Sequence, residues 1–250
     1  MAPRSVTGRA MGVLTAFDGG HPRLSLTEIA HRAGLPAATT YRLVRELERW
    51  RALRRGVDGC YEIGPRMWQL GLLSGVHSQL RAAATPVMQD LFAAYAGVVA
   101  LAVRDGDTAL LVERLAGHPN ADRHPTPGGH LPLHATAVGK VLLAHAPDDV
   151  LRRVLSGPQR LTPFTVVHPG PLLRELRRAR AEGVARASEE HALGACEVAV
   201  PVRDGTVVVA ALAVGVTGPR RNLDVVLPAL RAAADTVGDR LTRPLRRSAG

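Results

Sequence analysis

The chain has little of several features that would assign it to particular protein classes. It has two cysteines, Cys60 and Cys196, among 250 residues, which excludes a disulfide-stapled scaffold and fits a reducing cytoplasm. No apolar run approaches the roughly 20 residues that cross a bilayer, and the first twenty residues lack the apolar core of a secretory signal. Aromatic residues are 3% of the chain, and Lys140 is its single lysine.

What the chain has in excess is arginine and aliphatic side chains. Hydrophobic residues are 46% of the sequence and charged residues 22%, which predicts a globular protein with a substantial core. The net charge is +10, which favours a polyanionic partner. Residues 1–64 hold ten arginines against six acids, whereas residues 65–239 hold eighteen basic against sixteen acidic residues. The excess charge therefore lies near the ends of the chain.

The first 64 residues have the order of a winged helix-turn-helix. An apolar period predicts a helix from Val6 to Phe17. Ser25-Leu26-Thr27-Glu28 is a capping box that opens a second helix, and Gly34 is placed to end it. A third helix is predicted from about Pro36 to Trp50, with Leu43, Val44, Leu47 and Trp50 as its buried stripe. Two short strands around Asp58-Gly59 then predict a hairpin.

The third predicted helix has a face suited to the DNA major groove. Six arginines stand against two acids between Pro36 and Arg55, and the guanidinium fork matches the acceptors of guanine. The hairpin arginines would reach the phosphate backbone or the minor groove, and the start of the second helix would meet phosphate. The predicted DNA-binding residues are Ser25, Thr27, Pro36, Ala37, Ala38, Thr39, Thr40, Tyr41, Arg42, Arg45, Arg49, Arg54 and Arg55. The alternative is a solvated face whose arginines pair with Glu46 and Glu48.

The rest of the chain predicts a linker helix and an α+β domain. We assign residues 65–80 to the linker and residues 81–250 to the second domain, with an antiparallel sheet that carries helices on its faces. Residues 116–130 are predicted to be a loop. Strands are predicted around Asp105-Gly106-Asp107 and Asp204-Gly205, and a helix is predicted to close the chain.

Several motifs together resemble the IclR family of bacterial transcription regulators. In the first domain these are Ser25–Ala30, Gly34–Pro36, Thr39–Leu43 and Tyr61–Gly64. In the second domain they are Leu131–Ala144, Glu189–Gly194 and Val198–Asp204. The resemblance implies a winged helix-turn-helix, a linker helix and a GAF-like effector-binding domain. It also implies a homodimer or homotetramer that binds palindromic operator DNA as a repressor or activator. No cofactor and no membrane partner are expected.

The resemblance also implies where a small organic effector would bind. The pocket is expected on the concave face of the sheet, where backbone amides at Thr136–Gly139 could hold an anion. The expected effector-binding residues are Leu133, His134, Ala135, Thr136, Gly139, Ala187, Glu189, Cys196, Glu197, Ala213 and Gly215. Of the expected wall positions, Ala187, Ala213 and Gly215 are small and have no hydrogen-bonding side chain. The fourth, Glu197, would repel a carboxylate. A larger, less acidic effector, aromatic or natural-product-like, is therefore expected.

Other functions are less favoured by the same residues. His118, His124, His130 and His134 have no spacing typical of a metal site, so no metal is expected. Cys196 could be a nucleophile beside His191, but a lone cysteine in a strand is usually a small core residue. Of Glu189 and Glu190, one is expected to cap a loop and the other to be solvated, while Lys140 is expected to meet local carbonyls. An enzyme on the second domain and a regulator without a small-molecule ligand remain alternatives.

Overall fold

A computed structural model of the chain divides it into two compact units, Met1–Val76 and His77–Gly250. The structure describes residues 5–72, 77–95, 97–117, 125–217 and 223–242. Among these residues, no helix combines the length and the apolar character that a membrane span requires.

Four helices and a small sheet form the described part of the first unit. The helices are α1 Val6–Leu14, α2 Leu26–Ala33, α3 Ala37–Arg49 and α4 Pro65–Leu72. The predicted capping box is present at α2, since Ser25 Oγ accepts the Glu28 amide and Glu28 accepts the Ser25 amide. Gly34 ends α2 with φ 63°, a left-handed conformation that glycine adopts without steric cost. Both predicted boundaries of α2 are confirmed.

The predicted hairpin is also present, and a third strand joins it. Strands β2 Leu53–Arg55 and β3 Tyr61–Ile63 pair antiparallel, and Gly59 has φ 83° in the turn between them. Strand β1 Arg23–Leu24 pairs with the other edge of β3. The core of this unit is apolar and consists of Val13, Ala16, Leu24, Ile29, Leu35, Val44, Leu53 and Tyr61. These contacts fix α2 and α3 against the sheet.

The predicted linker corresponds to α4 and to the start of a longer helix, α5 Ser78–Tyr95. Residues 73–76 of the predicted linker lie outside the described residues. The boundaries at residues 64 and 80 therefore stay predictions.

A six-stranded antiparallel sheet is the centre of the second unit. Its strands are β4 Val98–Asp105, β5 Thr108–Ala116, β6 His130–Pro132, β7 Ala185–Ser188, β8 Ala195–Asp204 and β9 Val207–Thr217, in the order β6-β5-β4-β9-β8-β7. The remaining helices are α6 Ala137–Ala144, α7 Asp148–Leu155, α8 Pro169–Glu182 and α9 Leu227–Thr242.

The two faces of this sheet differ in side-chain size. One face carries valines and leucines that pack with residues of α5 and α9. The other face is mostly alanine, including Ala102, Ala199, Ala211 and Ala213, and it packs with residues of α6 and α8. Because alanine leaves little bulk above the sheet, α6 lies close to it and all eight of its residues are buried.

Part of the predicted loop 116–130 is strand, because β6 begins at His130 and pairs with β5. His118 and His124 of that loop lie outside the described residues. Among the residues that the structure does describe, no three potential metal ligands come together.

Candidate DNA-binding surface and effector cavity

Helix α3 has one buried face and one exposed face. Thr40 and Val44 are completely buried, and Leu43 and Leu47 are partly buried against the same core. Exposed side chains cover the opposite face, and they are Ala38, Tyr41, Arg42, Arg45 and Arg49. The apolar period therefore turns the arginines away from the core.

The exposed arginines differ in their partners. Arg49 forms an ion pair of 3.1 Å with Glu46, one turn earlier on α3. Arg42 and Arg45 form no hydrogen bond or ion pair with any residue that the structure describes. Of the ion pairs expected in the solvated-face alternative, the described residues include one for Arg49 and none for Arg42 or Arg45.

Two predictions about α3 are wrong. Thr40 was expected to contact DNA, but it is buried and its hydroxyl donates to the Pro36 carbonyl at 3.1 Å. Trp50 was expected in the buried stripe, but it is 64% exposed, and its indole N–H donates to Glu46 Oε1 at 3.2 Å. The helix ends at Arg49, so Trp50 begins the turn into β2 instead of continuing the stripe.

The start of α2 offers fewer free hydrogen-bonding groups for a phosphate than expected, and the start of α3 offers more. The Ser25 hydroxyl donates to Glu28 Oε2 at 2.7 Å and accepts the Glu28 amide, so the capping box already uses it. Thr27 is exposed beside it. Pro36 precedes α3 and provides no side-chain cap. The first-turn amides of Ala37 and Ala38 therefore lie at an uncapped helix end, which is where a phosphate binds readily.

Both hairpin arginines are exposed and locally held. Arg54 pairs with Glu62 at 2.8 Å across the hairpin. The Arg55 guanidinium lies 5.7 Å from the centre of the Tyr61 ring, and its Nε donates to the Gly59 carbonyl at 3.3 Å. Thr39 is half-buried in the first turn of α3.

A cavity of about 30 Å³ lies over the alanine-rich face of the sheet in the second unit. Three expected effector residues line it, Glu197, Ala213 and Gly215. Its other lining residues are Val98, Ala100, Leu111, Arg114, Pro125, Leu131 and Val138. The cavity is thus apolar except for one arginine and one glutamate.

Glu197 occupies the start of α6 from inside the protein. Its Oε2 accepts a hydrogen bond from the Ala137 amide at 3.2 Å, so a carboxylate of the chain itself lies at the helix start whose amides could have held an anion. Burial raises the pKa of Glu197, while the Ala137 hydrogen bond opposes that shift. A second carboxylate at this helix end would add a like charge to an enclosed site.

The other expected effector residues do not line this cavity. Thr136 Oγ1 accepts the Gly139 amide and donates to the Pro132 carbonyl, so Thr136 caps α6. His134 is buried and its Nε2 lies 2.9 Å from the Gln159 carbonyl. Leu133, Ala135, Gly139, Ala187 and Cys196 are buried in the core, and Glu189 is held in a turn with φ 57°.

The most important lining residue that the sequence reasoning missed is Arg114. It stands in an otherwise largely apolar strand, next to Glu113, and a register irregularity between Leu101 and Ala102 changes which side of β5 faces α6. Simple alternation therefore assigns β5 side chains to the wrong faces. A charged residue inside a predicted apolar strand was the signal available in the sequence.

Lys140 is buried, and its amine contacts acids as well as the backbone carbonyl that was expected. Its Nζ donates to Glu190 Oε1 at 2.6 Å, to Glu175 Oε2 at 2.7 Å and to the Arg186 carbonyl at 3.3 Å. Glu190 is itself buried, so the expectation of one loop cap and one solvated acid is wrong. Burial raises the pKa of Glu190, and the Lys140 charge opposes the shift.

A second cavity, of about 230 Å³, borders this cluster.

Comparison with known proteins assigns both units to one family. Residues 6–56 match the IclR helix-turn-helix domain, and residues 74–239 match the family described as bacterial transcriptional regulator IclR C-terminal. The probable transcriptional regulator SauR of Cupriavidus necator is 31% identical over 91% of this chain and 92% of its own. The repressor AllR of Escherichia coli K12 is 28% identical over 86% of this chain and 80% of its own.

Solved structures agree with this assignment. An IclR homologue from Microbacterium hydrocarbonoxydans, crystallised with 4-hydroxybenzoate, superposes with a TM-score of 0.88 at 33% identity, covering 95% of this chain and 99% of its own. The predicted fold is therefore confirmed: an N-terminal helix-turn-helix unit followed by an α+β unit with an antiparallel sheet. The chain belongs to the IclR family of DNA-binding transcriptional regulators.

Proposed function

We propose that the chain binds operator DNA through the exposed face of α3 and that a small organic effector in the second unit changes this binding. The observation that carries the DNA-binding part is the state of Arg42 and Arg45. Both project from a helix whose opposite face is fixed in the core, and neither is paired with a described residue. Guanidinium groups held in this way are ready to donate to guanine O6 and N7.

The remaining contacts would position the helix without reading bases. Arg54 and Arg55 of the hairpin and the uncapped first turn of α3 would meet phosphates, as would the exposed Thr27. These contacts contribute affinity that falls with salt, whereas Arg42 and Arg45 contribute sequence preference. We propose a homodimer or homotetramer, because two copies of α3 would read two half-sites about one helical turn apart.

The cavity between α6 and the sheet is the proposed effector site. Its lining of apolar walls and two charged groups has the composition of a small-molecule site. Its volume of about 30 Å³ is small, so an effector would have to displace lining side chains on binding. The Microbacterium homologue crystallised with 4-hydroxybenzoate supports a small organic ligand. None of the cavity's described lining residues is a serine, cysteine, histidine or lysine, which favours ligand binding over catalysis. An effector that prefers one conformation would shift the population of DNA-competent molecules.

Footprinting on the DNA upstream of the chain's own gene tests this function. We expect the purified full-length protein to protect a short palindromic segment, and an effector to change the concentration needed for protection. Absence of any protected segment, at concentrations where the protein already coats unrelated DNA, would contradict the proposal.

A further inference from the structure

The cavity of about 230 Å³ beside Lys140 lies between helix α8 and strand β7. Because β7 is the end strand of the sheet, one of its backbone edges is not covered by another described strand. We call this space the edge cavity. It has no described lining residue in common with the effector cavity. Its volume is below the roughly 300 Å³ at which drug-sized ligands begin to fit, so it suits a smaller molecule.

The arginines that line the edge cavity are already neutralised. Arg178 Nε donates to Glu182 Oε1 at 2.7 Å, one turn later on the same helix. Arg186 forms an ion pair with Asp224. Because each guanidinium has a carboxylate partner, neither offers an uncompensated positive charge to an anionic ligand.

Lys140 and its two acids have the opposite imbalance. The Lys140 ammonium donates to Glu190 Oε1 at 2.6 Å and to Glu175 Oε2 at 2.7 Å. Its third N–H donates to the Arg186 carbonyl at 3.3 Å, so all three of its donors are used. One positive charge is thus shared by two carboxylates. With both acids ionised, this wall of the edge cavity has one excess negative charge.

Water screens little of this charge at Glu190, which is 7% exposed. Its Oε2 is buried as well, and no described group donates to that atom with ordinary hydrogen-bond geometry. Burial raises the pKa of the Glu190 carboxyl, and the Glu175 charge adds to the shift, whereas Lys140 and the Val166 amide oppose it. A second cation beside these acids would therefore be stabilised.

Glu175 is the acid that a ligand can reach. Its side chain is 44% exposed, in contrast to that of Lys140 at 2%. A carboxylate has about four acceptor positions, and the bond to Lys140 uses one of them. A ligand ammonium can therefore donate to Glu175 while Lys140 stays bonded. The exposed Ser188 lines the same cavity, and its hydroxyl is a further acceptor.

Apolar side chains form another part of the wall. Ala179, Val184 and Ala185 line the edge cavity, and all three are buried in the protein. A short hydrocarbon chain can lie against them while its charged end stays at Glu175. The site thus favours an organic cation over an inorganic one.

We propose that the edge cavity is a binding site for a small primary alkylamine, whose ammonium donates to Glu175 and whose hydrocarbon part packs against the apolar wall. Lys140 of this site and Val138 of the effector cavity are two residues apart on α6. The two cavities are therefore neighbours along one helix, but the amine site does not depend on the proposed effector site.

Calorimetric titration of the full-length protein at constant ionic strength tests the class of ligand. The probes are n-butylamine, 1-butanol, n-butyltrimethylammonium and butyrate, which share one hydrocarbon chain. Near pH 7 the amine is protonated, as lysine is. We expect the alcohol, which lacks the charge, and the quaternary ammonium, which lacks the N–H donors, to bind at least about tenfold more weakly than n-butylamine. If any of the other three probes binds as tightly as n-butylamine, or if n-butylamine does not bind at roughly 10 mM, the proposal is overturned.

Glu175→Gln tests the location of the site. The variant removes the excess negative charge and leaves Lys140 paired with Glu190, so no charge is stranded and the protein should fold. We expect n-butylamine to bind at least about tenfold more weakly to it, with 1-butanol unaffected. Asp90→Asn is the matched control, because Asp90 is an exposed acid of α5, which packs on the other face of the sheet, and this variant should bind n-butylamine as wild type.

Glu175→Asp keeps the charge on a shorter side chain, and it should retain more of the n-butylamine binding than Glu175→Gln does. Thermal unfolding checks that each variant is folded. Unchanged n-butylamine binding in Glu175→Gln, an equal loss in Asp90→Asn, or a greater loss in Glu175→Asp than in Glu175→Gln overturns the assignment of the site.

Discussion

Lys140 shows how a single residue supports the second unit. It is 2% exposed and lies between Glu175 and Glu190. The Glu190 carboxylate is also buried. Glu190 and the Arg186 carbonyl share this interior with Lys140, whereas Glu175, which is 44% exposed, reaches Lys140 from the surface. A buried charge network adds little net stability when it is complete, but loss of one partner leaves an uncompensated charge.

Lys140→Met should therefore destabilise the protein by about 3 to 5 kcal/mol near neutral pH. Urea unfolding of the full chain measures the change. The double variant Lys140→Met with Glu190→Gln should recover much of the loss, because it removes the stranded carboxylate as well. A Lys140→Met protein within about 1 kcal/mol of wild type would contradict a role for the cluster in stability.

Glu197 gives a prediction about pH. Burial raises the folded-state pKa of its carboxyl above the ordinary value of 4.5. The folded protein thus retains this proton to higher pH than the unfolded chain does. The contribution of Glu197 to stability is therefore greatest below pH 4.5 and decreases as pH rises through the folded-state pKa.

Glu197→Gln should remove this pH dependence while keeping an acceptor for the Ala137 amide. Relative to wild type, the variant should gain stability as pH rises from about 4 towards neutrality. Thermal unfolding at several pH values measures the difference. A constant difference across this range, or one of opposite slope, would show that Glu197 titrates normally.

Among the elements, α6 depends most on close packing. A Cβ added at Gly139 would lie 2.5 Å from the Pro132 carbonyl oxygen and 2.7 Å from Leu133 Cα. Both neighbours are backbone, which yields less easily than a flexible side chain. The glycine in the family motif thus has a physical reason in this chain.

Gly139→Ala should destabilise the second unit by about 1 to 3 kcal/mol through overpacking. Gly12→Ala is the matched control, because Gly12 is also in a helix and an added Cβ there meets nothing within 4 Å. The control should be neutral or stabilising by up to roughly 1 kcal/mol. Differential scanning calorimetry compares the two, and equal effects would mean that contact with the Pro132–Leu133 backbone is unimportant.

Local signals explain which elements could be predicted from the sequence. The α2 capping box, the Gly34 stop and the Asp58-Gly59 turn each depend on residues a few positions apart, and all three are present. Strands β1, β6 and β7 are short edge strands whose pairing depends on distant residues, and the sequence reasoning did not find them.

The same distinction applies to the two candidate sites. The arginine face of α3 follows from the period of one helix, and only Thr40 and Trp50 were placed on the wrong side. The effector cavity is formed by residues of five strands and one helix, and it depends on a register irregularity in β5. No periodicity within one segment could identify Arg114 and Glu197 as lining the same cavity.

Over the whole molecule, the net positive charge is shared equally by the two units. Residues 1–76 hold eleven arginines against six acids, and residues 77–250 hold 21 basic against 16 acidic residues, so each unit carries a net charge of +5. Within residues 1–64, the exposed arginines of α3 and of the hairpin belong to the predicted DNA-binding surface. Net charge alone therefore does not distinguish the units, and the placement of the exposed arginines carries the assignment. The salt dependence of DNA binding should report the number of phosphate contacts.

Equilibrium binding of full-length variants to the footprinted operator and to a scrambled fragment, at several salt concentrations, tests the role of α3 most directly. Arg177→Ala is the control, because it removes an exposed arginine of the second unit that has no described ion pair. We predict that Arg42→Ala and Arg45→Ala each cost about 1 to 3 kcal/mol on the operator and reduce the preference over the scrambled fragment, while Arg177→Ala binds as wild type. Full operator preference in both α3 variants, with the protein folded, would contradict the assignment of α3 as the helix that reads DNA.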